Sequence, residues 1–271
     1  MTDNKKFFIK TADGSSTLFS QEYGEAMHSD SGAYEEALLK HIYPSKILES
    51  SHDSLNVLDI GFGLGYNILA LVSEAKNRNL KKNINIISLE KERELLPFME
   101  EIFFNDYRDE IYFFIKKAYS QGFIKEDGFS IKILFGDGRE SLDKIKGISF
   151  DAIFQDPYSP SKNPEMWSLH YFKRLFTLLD DTGILTTYSS ALHVRRAMLE
   201  AGFIIGKGPS VGKKREGTLA GKNPLFEPLS QVEIEEIFSS SKSEVYLDPD
   251  FTFSRESILE DRRERVRLRR I

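Results

Sequence analysis

From residue 55 the chain alternates short apolar runs with longer stretches of helical periodicity. The runs Asn56–Ile60, Ile84–Leu89, Ile131–Phe135, Phe150–Gln155 and Ile184–Tyr188 read as strands, with two more near Phe203–Gly206 and Gly217–Ala220. Helical spacing fills the gaps at about Tyr66–Arg78, Lys91–Phe104, Ser168–Leu179 and Leu192–Glu200. Several strands are apolar on both faces, as a sheet covered by helices on both sides requires. The pattern predicts an α/β fold with a seven-stranded, mostly parallel, doubly wound sheet. Before it, Phe7–Lys10 and Ser16–Phe19 flank the turn dipeptide Asp13-Gly14 and read as a hairpin, and Ala33–Ile47 has helical spacing that Asp30, Ser31 or Gly32 could cap. The polar loop between them, residues 24–32, stands where a lid would sit. Three regions are expected: an N-terminal extension over 1–54, a core over 55–226 with an inserted helix within 105–130, and a helical tail over 227–271.

Composition removes several classes of function. With 40% hydrophobic and 12% aromatic residues the chain can bury a substantial core. It has no cysteine, and its five histidines (His28, His41, His52, His170, His193) lack metal-ligand spacing, so no disulfide, thiolate zinc site or other metal is expected. No window approaches a membrane span and the first residues lack a signal-peptide core, which predicts a cytosolic protein. The net charge is −5, against a surface that grips phosphate everywhere. Residues 151–271 are neutral overall and locally basic, at Lys213-Lys214-Arg215 and at Arg262–Arg270. Such clusters are ordinarily solvated faces, and become RNA contacts only beside a site.

The most informative stretch is Val57-Leu58-Asp59-Ile60-Gly61-Phe62-Gly63-Leu64-Gly65-Tyr66-Asn67. Glycines between a buried strand and a helix let a ligand approach the backbone. Tyr66 stands where a dinucleotide fingerprint needs its third glycine, so the pyrophosphate reading fails. What remains, D-x-G-x-G-x-G after a strand, resembles the first motif of the Rossmann-like class I S-adenosylmethionine-dependent methyltransferases. Ligands of open α/β sheets sit beyond the carboxyl ends of the strands. Four acids stand at four successive ends: Asp59, Glu90, Asp137 and Asp156. Alone, each is an ordinary N-cap or surface charge; together they call for a cationic, hydroxyl-rich ligand, because crowded like charges need donors to hold. Glu90 would accept from the ribose hydroxyls. Asp137 and its neighbouring backbone would hold the adenine amino group, and Asp59 with the glycine-loop amides would face the methionine end. Candidate cofactor contacts are Asp59, Gly61, Phe62, Gly63, Gly65, Asn67, Glu90, Lys91, Asp137, Gly138, Asp156 and, from the entry loop, Ser29.

The second informative stretch is Asp156-Pro157-Tyr158-Ser159-Pro160-Ser161-Lys162-Asn163-Pro164-Glu165-Met166-Trp167. Its three prolines stiffen a loop beside the expected methyl group, and its order resembles the D-P-P-Y loop of amino-methyltransferases. An acid there can take a hydrogen from an attacking amine, and an aromatic ring can stack on a base or face a sulfonium. Methyl transfer is an in-line displacement, so positioning carries most of the acceleration.

The run DAIFQDPYSPSKNPEMWS, with LDIGFGLGYN before it and TYSSA, VRRAMLEAGF and GKKREGTLAG after it, is similar to the methyltransferase domain of the bacterial MnmC enzymes. Resemblance spans nearly the whole chain. Many members read GFGTGLNF at Gly61–Ile68 and Asp-Ala-Phe at Asp156–Tyr158, and neither difference removes a polar role. It implies S-adenosylmethionine-dependent methylation of 5-aminomethyl-2-thiouridine at the tRNA wobble position, giving the 5-methylaminomethyl product. It also implies that Asp156 orients or deprotonates the amine, that Tyr158 lines the uridine pocket, and that Lys162, Lys213, Lys214 and Arg215 approach the tRNA. Bifunctional members continue into a flavin-dependent oxidase for which 271 residues leave no space, so a stand-alone methyltransferase is expected. Two alternatives stay open: an aminopropyltransferase of the spermidine synthase type, which gives the basic stretch after residue 210 no role, and a non-catalytic RNA-binding module, which predicts a broken cofactor turn.

Overall fold

The computed structural model describes residues 7–11, 15–27, 32–210, 216–223 and 225–269. An antiparallel three-stranded sheet opens the chain: β1 (Phe7–Lys10), β2 (Ser16–Ser20) and the two-residue β3 (Glu25–Ala26). The hairpin expected over β1 and β2 is present, paired Phe7 to Phe19 through Lys10 to Ser16; its Asp13-Gly14 turn lies outside the described residues. β3 falls in what reads as a polar loop, where it pairs with the end of β2. α1 (Ala33–Ala37) then runs into a π-turn over Leu38–Ile42, shortening the helix expected to reach Ile47.

The central sheet comprises β4 (Ser54–Ile60), β5 (Asn83–Glu90), β6 (Phe123–Glu126), β7 (Phe129–Phe135), β8 (Phe150–Gln155), β9 (Leu179–Thr187), β10 (Ile204–Lys207) and β11 (Thr218–Gly221). Among the described residues their order is β10-β11-β9-β8-β4-β5-β7-β6. The seven expected strands are all present, and the five central ones pair in parallel. The eighth, β6, lies antiparallel at the edge within the stretch expected to hold only an inserted helix. Its cause is Asp127-Gly128, both with positive φ (49° and 79°), a turn that folds Phe123–Glu126 back along β7.

Helices α2 (Tyr66–Asn77) and α4 (Arg108–Gln121) cover one face, with α1 packed on α2. The helix expected over 91–104 contracts to α3 (Leu96–Glu100), which has Pro97 in its first turn. Proline fits only at a helix start, so residues 91–95 are left to round the end of β5. α5 (Gly138–Asp143), α6 (Leu169–Leu178), α7 (Leu192–Glu200), α8 (Gln231–Ser239) and α9 (Arg255–Leu268) serve the other face. Strand pleating assigns the side chains: Leu55 and Val57 enter the first core, Leu58 and Ile60 the second.

The C-terminal segment packs against the second face. Ile237 and Ile258 are buried in that core. Arg139 of α5 reaches Asp248, fully buried, at 2.7 Å and the Phe253 carbonyl at 2.9 Å. Part of the arginine-rich tail is tied inward: Arg265 (2.9 Å) and Arg269 (2.8 Å) converge with Arg196 of α7 (3.4 Å) on buried Glu244, while Arg262 donates to the Glu244 and Lys242 carbonyls. Those contacts hold the tail against the second face. No described helix is long and apolar enough to cross a membrane.

Candidate functional site

The turn after β4 is built from backbone. The N–H groups of Gly61 and Phe62 both donate to the Leu89 carbonyl at 3.1 Å, and the Asp156 N–H donates to Ile60 O at 3.0 Å, tying together the ends of β4, β5 and β8. Gly61 has φ +90°, and a Cβ there would lie 2.6 Å from the Asp156 carbonyl oxygen, so only glycine fits. The Glu90 carboxylate is held from both sides, by the Gly63 N–H (2.8 Å) and the Glu92 N–H (2.7 Å).

Above this turn opens a cleft of about 840 Å³, walled by Gly61, Gly63, Glu90, Lys91, Asp137, Gly138 and Asp156 among others. Gly138 is small because the Met166 side chain crosses it, occupying the space that a Cβ would need. The walls carry several carboxylates, a glycine floor and the Met166 and Tyr158 side chains, which suit a nucleoside bearing a positive charge.

The four acids separate into different environments. Glu90 and Asp156 stand on the cleft wall. Asp137 also borders it, but its carboxylate caps α5 by accepting from Arg139 N–H at 2.8 Å and pairs with the Arg139 guanidinium at 2.7 Å. Burial works to raise its pKa, yet the Arg139 hydrogen bonds outweigh burial and hold it below the ordinary carboxylate range. The side chain expected to hold an adenine amino group is therefore already engaged. Asp59, expected to face the methionine end, is fully buried and borders no cavity near the turn. It accepts from Ser88 Oγ at 2.6 Å and from Asn67 Nδ2 at 3.2 Å. Burial pushes its pKa up to about 7 against these hydrogen bonds. Asn67 Nδ2 also donates to Asp156 Oδ2 at 3.1 Å, so Asp59 connects to the cleft through Asn67.

A second cavity of about 830 Å³ adjoins the first, sharing Met27, Asp156, Pro157 and Tyr158 with it. Its other walls include Glu25, Glu36, His41, Asn67 and Tyr188. Glu25 is fixed by the Ser159 N–H and hydroxyl (2.5 and 2.7 Å), and the Tyr188 hydroxyl donates to Pro157 O at 2.9 Å, which together clamp the proline loop. Trp167 is fully buried and donates to the Tyr158 carbonyl at 2.8 Å, so it anchors the loop from beneath. Tyr158 stacks on Tyr23, with centroids 4.0 Å apart, and burial pushes its hydroxyl pKa well up. The Arg255 guanidinium of α9 lies 4.5 Å from the Tyr23 ring, and Lys91 reaches Glu22 at 3.1 Å and the Tyr23 hydroxyl at 3.3 Å.

Of the remaining expected residues, Phe62 is buried and stacks on Tyr119, and Gly65 is the left-handed cap of α2 against Ile115; both shape the turn from behind. Lys162 is exposed, over Gly24. Ser29 and Lys213, Lys214 and Arg215 lie outside the described residues. The described flanks of that basic stretch rise beside the site: Lys40 Nζ donates to Pro209 O at 2.7 Å, and Gly217 abuts the Thr187 carbonyl at the end of β9. Sequence reasoning missed Tyr23, Met27, Glu25 and Glu36, whose spacing in the extension carries no motif, and His41, which reads as one more position on an amphipathic helix. Among the described residues no group of histidine, aspartate or glutamate could hold a metal ion.

A parallel sheet with a glycine turn after its first central strand and an acid-walled cleft at the carboxyl edge defines a class I S-adenosylmethionine-dependent methyltransferase. Residues 103–223 match a family model described as S-adenosyl-L-methionine-dependent methyltransferase. The crystal structure of MnmC2 from Aquifex aeolicus is 33% identical and superposes with a TM-score of 0.89, over 98% of this chain and 87% of that one. The chain belongs to the MnmC2 family of S-adenosylmethionine-dependent methyltransferases. Uncharacterized protein MJ0670 of Methanocaldococcus jannaschii is 32% identical over 263 residues, 95% of this chain and 71% of that protein. The tRNA 5-methylaminomethyl-2-thiouridine biosynthesis bifunctional protein MnmC of Leptospira borgpetersenii is 33% identical over 179 residues, 61% of this chain. That match spans 26% of the bifunctional protein, about a quarter of its length.

Proposed function

We propose that this protein methylates the primary amine of 5-aminomethyl-2-thiouridine at the tRNA wobble position. The observation that carries the reading is the pair of cavities meeting at Asp156, one walled for a cationic nucleoside, the other lined by Glu25, Glu36, Asp156 and His41. An acidic pocket beside the donor site favours an amine over a hydroxyl or carboxylate acceptor, because carboxylates attract its cationic form and accept its N–H hydrogens. S-adenosylmethionine supplies an electrophilic methyl group on a sulfonium. Glu90 accepts from the ribose hydroxyls, while the N–H groups of Gly61, Phe62 and Gly63, already donated to Leu89 O and Glu90, shape the turn against which the donor lies. The Asp156 carboxylate orients the acceptor nitrogen, and Tyr158 and Tyr23 form the aromatic wall against which the base packs. Asp59 holds Asn67, and Asn67 holds Asp156, so that the carboxylate does not rotate away. Lys162 and the basic residues 213–215 meet the anticodon backbone. The MnmC name borne by the Leptospira relative supports the choice of tRNA nucleoside.

The test is transfer of label from S-adenosylmethionine to tRNA lacking this methylation, by the parent and by Asp156→Ala, with donor binding measured by calorimetry. The parent labels the tRNA, whereas Asp156→Ala binds the donor and labels nothing. Undiminished turnover by Asp156→Ala removes Asp156 from the reaction, and preference for decarboxylated donor points to aminopropyl transfer instead.

A further inference from the structure

The π-turn over Leu38–Ile42 places two consecutive polar side chains in the interior: Lys40 is 2% exposed and His41 1%. Its wide closure, Tyr43 N–H to Leu38 O at 3.0 Å, is a form of helix found disproportionately at functional sites. A buried polar group costs free energy unless it has partners. Lys40 spans to Pro209 O, a structural task. The His41 ring instead lies between two site elements. Nδ1 is 2.8 Å from the hydroxyl of Thr186, a fully buried residue of β9, and Nε2 is 3.6 Å from Asp156 Oδ1 across the acceptor cavity. Phe154 backs the ring at 5.6 Å. An apolar side chain would fill this space without any such cost, so the imidazole calls for a role of its own.

We propose that His41 is a positioning and proton-accepting residue of the transfer, held through Nδ1 by Thr186 and acting on the acceptor amine through Asp156. The proposal rests on the amine-methylation reading above. In neutral water a primary alkylamine is an ammonium ion without a lone pair to attack with. One proton must leave nitrogen first; it passes to Asp156 and from there to His41 Nε2. The nitrogen lone pair then forms the N–C bond while the donor's C–S bond breaks, its electron pair staying on sulfur, and the secondary ammonium product carries the charge that the sulfonium lost. An imidazole behind the carboxylate gives that proton a second basic atom to move to, at Nε2, away from the acceptor nitrogen. The ionisable groups sharing this network or cavity are Asp156 from β8, Asp59 from β4, Glu36 from α1, Glu25 from β3 and Tyr188 just after β9. None of these is a cation that would oppose the proton's arrival.

Two variants test the assignment. His41→Gln keeps a polar amide facing Asp156 and cannot take up a proton; Thr186→Val keeps the shape of β9 and removes the Nδ1 partner. The expected result for His41→Gln is a kcat about 100-fold lower near neutral pH, with KM for S-adenosylmethionine within about twofold of the parent. Its rate should recover as pH rises and solvent deprotonates the amine. Thr186→Val should show a smaller loss with the same altered pH profile. A parent-shaped pH profile in both variants, whatever the loss, reduces His41 to a packing residue and overturns the proposal. An independent readout needs no substrate: in protein with 15N-labelled histidine, Asp156→Asn should move the His41 Nε2 resonance and leave Nδ1 in place. An unmoved Nε2 signal sinks the His41–Asp156 contact. A moved signal in a protein that labels no tRNA overturns the acceptor assignment and upholds the contact.

Discussion

Replacing Asp59 by asparagine tests the buried network at its base. Burial holds the Asp59 carboxyl at about 7, up from 3.8. An acid whose pKa rises on folding is favoured in its protonated form. Below pH ~4 it is protonated in both states and costs nothing; between ~4 and ~7 the unfolded chain releases the proton while the fold retains it, so stability falls as pH rises. Above ~7 the cost is constant. At about 1.4 kcal/mol per unit, the whole penalty is roughly 4 kcal/mol, of which about 2.5 kcal/mol develops between pH 5 and slightly above neutrality. Asparagine keeps the shape, can still accept from Asn67 Nδ2, and carries no charge. Urea unfolding of parent and Asp59→Asn at about pH 5 and about pH 7.5 should therefore show the variant gaining roughly 2.5 kcal/mol on the parent over that interval. A difference independent of pH to within about 0.5 kcal/mol would mean that Asp59 is not strained by its burial. Above neutrality an asparagine oxygen accepts from Asn67 Nδ2 more weakly than the ionised Asp59 carboxylate does, so Asp59→Asn should also transfer methyl groups more slowly than the parent despite its higher stability.

Three other perturbations probe separate parts of the structure. Gly61→Ala places a Cβ 2.6 Å from the Asp156 carbonyl at φ +90°; strain of about 1–3 kcal/mol should lower the melting temperature and weaken S-adenosylmethionine binding more than about tenfold, and parent-like calorimetric affinity would discount the turn. Asp248→Ala strips the buried partner from Arg139, which should lower unfolding stability by about 3–5 kcal/mol, whereas a loss under about 1 kcal/mol would show the ion pair to be dispensable. Changing Lys213 and Arg215 together to alanine should weaken tRNA binding and flatten its salt dependence, with a slope shallower by about 0.7–0.9 for each phosphate no longer neutralised, measured by filter binding at several salt concentrations. Unchanged affinity returns that stretch to a solvated surface.

Much of the fold was legible because buried parallel strands are apolar on both faces and so announce themselves. Several of the seven expected strands follow that pattern, and the acids at the ends of β4, β5, β7 and β8 could be aligned without coordinates. β6 escaped because Phe123–Glu126 lies mostly exposed at an edge and carries no apolar run; the Asp127-Gly128 dipeptide was the available signal. The helix expected over 91–104 begins only at Leu96, beside Pro97, because proline's ring and missing N–H confine it to a helix start. Gly61, Glu90 and Asp156 wall one cleft, a juxtaposition their spacing predicts because the carboxyl end of each buried strand opens on the same edge of the sheet. Asp59 was placed on the correct strand but assigned to the ligand, because spacing does not tell which face of a strand end opens to a cleft. Asp137 divides its carboxylate between a cap and Arg139, a use that depends on the partner at 139. The second cavity was nearly illegible: Glu25, Glu36 and His41 come from an extension whose packing against the proline loop only the tertiary structure reveals.

The central claim, that two adjoining cavities join a methyl donor to an aminomethyl wobble uridine, is tested most directly by nucleoside analysis. The protein is incubated with S-adenosylmethionine and tRNA bearing 5-aminomethyl-2-thiouridine, and the digested tRNA is examined by mass spectrometry. The substrate nucleoside should disappear as 5-methylaminomethyl-2-thiouridine appears in equal amount. Its persistence, with the donor demonstrably bound, would contradict the claim.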